Sequence, residues 1–115
     1  MYKLLTILIF FSFSVFADNL RVANTITYKD LDQSCPDKYL EWYLMSSNEV
    51  EWGMAQLKIF FLVDKNFLTR AATSGISGSE WGEKVGKNFK YFCEKSPTVS
   101  VRTAVKQTIN SLSKG

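Results

Sequence analysis

From Asn19 to Tyr28 the positions Leu20, Val22, Asn24, Ile26 and Tyr28 alternate with polar or small residues, and a period of two predicts an extended segment. No second stretch alternates in this way, and a lone strand has no partner. Residues 18–31 are therefore expected to form an extended N-terminal arm that lies on the domain or pairs with another subunit. The rest of the pattern is helical. Ser34-Cys35-Pro36-Asp37 places a cap residue, a proline in the first turn and an acid three residues after the serine, which predicts a helix running through Lys38 to Met45. Asn48-Glu49-Val50-Glu51 repeats that logic and opens a longer helix. Its apolar positions Val50, Met54, Leu57 and Phe61 recur at three and four, and it is expected to reach Val63 or Arg70. The run Ile59 to Val63 is apolar all round, so this helix should be central.

Two glycines among serines and a threonine make Thr73 to Ser79 the clearest break in the chain. Beyond it, Trp81, Val85, Phe89, Phe92 and Cys93 fall on one helical stripe, with Lys84, Lys87 and Lys90 elsewhere around the cylinder. Gly82 and Gly86 cost this helix roughly 1 kcal/mol each relative to alanine, so they either permit close packing or leave it loose. Ser96-Pro97 ends the third helix and is expected to start the last, whose buried stripe is Val101, Ala104, Val105, Thr108, Ile109 and Leu112. The predicted fold is all-α: a small single domain of about four helices over residues 32–115.

The start of the chain differs from all of this. Met1, Tyr2 and Lys3 precede an unbroken apolar and small-residue run from Leu4 to Phe16, and Val15-Phe16-Ala17 offers small residues where a signal peptidase needs them. Residues 1–17 read as a signal peptide cleaved after Ala17. A membrane anchor is the alternative, but the run falls short of the roughly 20 residues a bilayer needs. Export through a cleaved signal peptide, with no membrane anchor afterwards, is the expectation, and it bears on Cys35 and Cys93. In an oxidising compartment these two can pair across 58 positions, a closure valued at about 4 kcal/mol by the chain-entropy estimate. Two free buried cysteines are the alternative.

Composition narrows the function. The 115 residues include no histidine and two cysteines, which excludes a Ser-His-Asp triad, a Cys-His pair, an imidazole metal site and a self-contained zinc tetrahedron. No nucleophile elbow or phosphate loop stands out. Glu49 with Glu51 and Glu80 with Glu83 lie at helix starts, where acids favour the helix dipole. The expectation is a non-enzyme with no catalytic residue, cofactor or metal. A net charge of +3 is too small a basic footprint for nucleic acid. It conceals an uneven distribution: residues 18–83 carry a net of −4 and residues 84–115 a net of +6. The two parts should attract at neutral pH, although the basic stretch also reads as an ordinary solvated helix face. Protonating every carboxylate would leave residues 18–115 at +13. Finally, Trp42, Trp52, Trp81, Phe60, Phe61, Phe67, Phe89 and Phe92 are many rings for so small a domain. Those that the core cannot hold would form a client or subunit surface, for which Trp52, Phe60, Phe61, Trp81 and Phe89 are the candidates.

The segment Ser34-Cys35-Pro36-Asp37-Lys38-Tyr39, the Trp52-Gly53 helix opening, and Tyr91-Phe92-Cys93-Glu94-Lys95-Ser96-Pro97 followed by Val101 and Ala104-Val105 resemble the HdeA/HdeB family of periplasmic acid-stress chaperones. The likeness spans roughly residues 32–110. It implies an all-helical fold with Cys35 bonded to Cys93 and a homodimer at neutral pH. It also implies acid-triggered loosening that exposes apolar surface to unfolded client proteins. No catalytic residue or cofactor comes with it. The competing expectation is a secreted inhibitor or immunity protein that blocks a cell-wall hydrolase, with Thr73 to Ser79 as its protruding loop.

Overall fold

The computed structural model describes residues 19–67, Thr69 and residues 78–113. Among these, four α-helices follow two short 3-10 turns: α1 (Cys35–Met45), α2 (Glu49–Val63), α3 (Gly78–Glu94) and α4 (Val101–Ser113). No strand forms among the described residues, and the β-type pairing is a single antiparallel bridge between Ser34 and Ser100.

The helix limits follow from local chemistry. Pro36 sits in the first turn of α1, where its missing N–H costs nothing. Ser34 does not cap that turn: its Oγ donates to the Pro97 carbonyl at 3.0 Å, across to the loop that precedes α4. Asn48 caps α2, its Oδ1 accepting from the Glu51 N–H at 2.9 Å. The helix stops at Val63, where Asp64 turns extended. α3 begins at Gly78, inside the segment expected to be a break. α4 begins at Val101 instead of Pro97, because the Ser100 Oγ accepts from the Thr103 N–H at 3.1 Å and so sets its first turn.

The N-terminal segment corrects the expected extended arm. It lies on the domain, but coiled: Ala23–Thr25 and Tyr28–Asp32 are 3-10 turns. The Asn24 N–H donates to the Leu20 carbonyl, Thr25 Oγ1 bonds the Val22 carbonyl, and Asp30 Oδ2 accepts from the Thr27 N–H. Val22 and Ile26, which look like alternating strand positions, are four apart and so fall on one side of a coiled backbone. Both are buried, with Ala23 and Leu31, against α2 and α4.

The core gathers Ile59 and Phe60 of α2, Val85 and Phe89 of α3, and Val101, Ala104 and Val105 of α4 around the disulfide. Cys35 and Cys93 are bonded, with Cα atoms 5.2 Å apart and no exposed surface. Beside them the Cys35 N–H donates to the Val99 carbonyl at 2.7 Å and the Val101 N–H to the Gln33 carbonyl at 3.1 Å. The entry to α1 is thus tied to the α3–α4 corner covalently and by backbone bonds. α3 packs along α4, whereas α2 and the first half of α3 stand apart.

Candidate functional site

Three ion pairs join the N-terminal segment to three different helices. Arg21 Nη2 lies 2.7 Å from Oε1 of Glu51 at the start of α2, and it also donates to the Met45 carbonyl at 2.6 Å, the last residue of α1. Glu51 is the buried partner, at 4% side-chain exposure, and its carboxylate accepts the Ser47 N–H as well. Asp30 Oδ1 lies 3.3 Å from Lys38 Nζ of α1, and Asp32 Oδ1 lies 3.3 Å from Arg102 Nε of α4. A carboxylate takes part in every one of the three. The last also joins the acidic part of the chain to its basic part, while Lys84, Lys87 and Lys90 are exposed.

Lys38 also holds Glu41 at 3.0 Å, and this hydrogen bond, opposed by burial and reinforced by Asp30, raises its pKa above 10.5. Burial raises the pKa of the neighbouring Tyr39 above 10.0, with the Glu94 charge adding to it. Both shifts favour the protonated form in the folded state. The stability they contribute is present below about pH 10 and lost as pH rises through the folded values.

The candidate surface residues divide. Phe60 and Phe89 are fully buried and meet edge-to-face at 5.3 Å, so in the folded domain they are core. Trp81 is partly buried against Phe67, and Trp52 is partly buried under the α1 rings Tyr39 and Tyr43, at 4.9 and 5.7 Å. Only Phe61 is openly exposed, at 43%. It belongs to the Val50, Met54, Leu57 and Phe61 stripe, most of which faces solvent; the buried face of α2 is Glu51, Ala55, Ile59 and Phe60.

Sequence periodicity missed a further apolar set. Leu40, Tyr43 and Leu44 of α1 are all more than half exposed. The Tyr43–Trp52 contact joins them to the N-terminal end of α2, where Val50 is exposed too. The result is an apolar margin along two helices, of a kind that commonly marks an interaction surface. Glu49 and Glu51 occupy the first turn of α2 and Glu80 the first turn of α3. The Thr73 to Ser79 loop expected of an inhibitor falls largely outside the described residues, as do the signal-peptide positions 1–17. Among the described residues no helix is long and apolar enough to cross a membrane. No family model, curated protein or solved structure matches the chain.

Proposed function

We propose that the protein is an exported holdase whose N-terminal segment is released by acid, so that apolar surface becomes available to unfolding proteins in the periplasm. The observation that carries this reading is the convergence of three carboxylate-containing ion pairs on one segment whose inner face is Val22, Ala23, Ile26 and Leu31. Acid strong enough to protonate carboxylates removes the negative partner from each of the three pairs. Arg21, Lys38 and Arg102 keep their charge. What remains is a chain at +13 over residues 18–115, repelling itself where it had been tied. With no histidine in the chain, no imidazole can move the response toward neutrality.

Individually the pairs are small. Exposed pairs contribute about 0–1 kcal/mol, as for Asp32–Arg102, and a charge-assisted bond to a buried carboxylate somewhat more. A domain of this size is stable by only several kcal/mol, so losing the three together while charge accumulates is enough to loosen it. The resemblance of Ser34–Tyr39 and Tyr91–Val105 to acid-stress chaperones supports the same reading. At neutral pH the exposed stripe of α2 would serve a homodimer.

Light scattering from an aggregating client, recorded with the protein at neutral pH and at about pH 2 to 3, tests the proposal. Suppression confined to acid is expected. Equal failure at both pH values would sink it, and inhibition of a cell-wall hydrolase in the same preparation would point to the inhibitor reading instead.

A further inference from the structure

Between α2 and the first half of α3 lies a cleft of about 290 Å³, open to solvent on one side. Phe60 and Phe67, with ring centroids 5.0 Å apart, and Trp81, 5.9 Å from Phe67, form an aromatic wall, and Met54, Leu57 and Val85 line it further. Among the described residues no charged side chain lines it. Two of its lining residues carry buried polar atoms without a hydrogen-bond partner: Gln56 Oε1, an acceptor, and Trp81 Nε1, a donor. Buried groups of this kind are ordinarily satisfied, and each one left unmade is costly.

The glycines of the cleft sharpen the point. Gly53 on α2 and Gly82 on α3 sit within helices, where glycine is the least favourable residue apart from proline. Neither is required by close packing, since a Cβ at either position would meet nothing within 4 Å. Gly86 differs, because a Cβ there would touch Gln56 Oε1 at 3.6 Å. The two cleft glycines keep space open at a cost in helix stability, and the space they keep is bordered by rings and by one orphan donor and one orphan acceptor.

We infer that this cleft is a binding site for a small neutral aromatic molecule carrying one hydroxyl or ring N–H, of the phenol or indole class. The volume suits one or two rings and is at the lower end of ligand pockets, which argues against a long acyl chain. The aromatic wall favours a ring set edge-on or offset against it. The uncharged lining among the described residues disfavours an ionised ligand; a hydroxyl can donate to Gln56 Oε1 and accept from Trp81 Nε1 together, whereas a ring N–H can donate to Gln56 alone. The site uses none of the ion pairs of the N-terminal segment, so it stands or falls independently of the acid trigger, although Val50, Met54 and Leu57 belong also to the stripe assigned to a homodimer.

The test is a titration of the disulfide-bonded protein at neutral pH with p-cresol, indole, toluene and benzoate, following the indole N–H resonances by NMR. Trp42 and Trp52 serve as internal references. Saturable binding of p-cresol and indole that moves the Trp81 N–H signal is expected, with toluene about fivefold to tenfold weaker for want of a hydrogen bond and benzoate weaker still. Gly82→Leu should fill the cleft and weaken p-cresol at least about tenfold, with an unchanged or raised Tm because leucine is the better helix former. Gly53→Leu fills it from the other side should the first variant fail to fold. Absence of saturable binding by either neutral ring, binding insensitive to both glycine variants, or equal affinity for toluene and p-cresol would overturn the assignment. So would capture of a tyrosine-containing peptide without p-cresol, which would assign the cleft to a protein partner.

Discussion

α2 and α3 are helices of similar length, 15 and 17 residues, and they meet the domain in opposite ways. α3 has one apolar stripe and buries it: Val85, Phe89 and Cys93 are inside, and Trp81 and Phe92 are partly covered. α2 is apolar on both faces and buries the one with less periodic appeal, leaving Val50, Leu57 and Phe61 in solvent. Periodicity selects an inner face only where the two faces differ in polarity. On α2 they scarcely differ, and the choice passes to contacts distant in sequence: the Arg21 bond to Glu51 and the N-terminal turns packed against this helix.

That contrast can be broken most forcefully in the core. Phe89→Ala on α3 should cost about 3–5 kcal/mol in chemical denaturation. Phe61→Ala on α2, a change of the same size at the position the α2 stripe would have buried, should cost a small fraction of that. Equal losses would show that α2 is turned the other way. Next comes the staple that fixes α3 to α1: Cys35→Ser should lower stability by about 2–5 kcal/mol, and mass spectrometry of the parent should find it two hydrogens lighter than its reduced form.

The polar side of α2 gives a smaller, pH-dependent effect. Glu51→Gln preserves shape and the bond from Ser47 but loses the ionic partner of Arg21. Because Arg21 is half exposed, the loss should be about 1 kcal/mol at pH 7, and it should shrink in strong acid, where carboxylates in general lose their charge. A difference that persists in acid would remove Glu51 from the proposed trigger. At the other end of the scale, stability should fall as pH rises past about 10, where the raised values of Lys38 and Tyr39 no longer favour folding. Tyr39→Phe should flatten part of that decline. The smallest change is expected from Leu57→Ser on the open face of α2, within about 0.5 kcal/mol by thermal unfolding.

Much of this architecture was legible along the chain. The Cys35–Cys93 bond joins the chain's two cysteines, and the Asn48 cap, the stripe of α3 and the buried Val101, Ala104, Val105 and Thr108 of α4 rest on local signals that tertiary packing did not override. The N-terminal segment was misread because Val22 and Ile26 satisfy a period of two and a spacing of four equally well. The turn chemistry of Thr25, Thr27 and Asp30 decided between them. The candidate site was least legible. Arg21 and Glu51 are 30 residues apart, Asp32 and Arg102 are 70, and nothing local marks either as a pair. The cleft glycines were visible, yet only the empty space beside them separates close packing from an open pocket.

The bond between Cys35 and Cys93 turns the chain from residue 35 to residue 93, and with it α1, α2 and α3, into a closed ring from which the N-terminal segment and α4 extend as two tails. If acid frees the tails, as proposed, the ring expands without opening. A ring searches far fewer conformations than a linear chain of the same length. On neutralisation the two tails have only to settle back on either side of the same knot, where Gln33 and Cys35 meet Val99 and Val101. The covalent link thus bears both on how firmly the domain stands at neutral pH and on how short its way back would be after collapse.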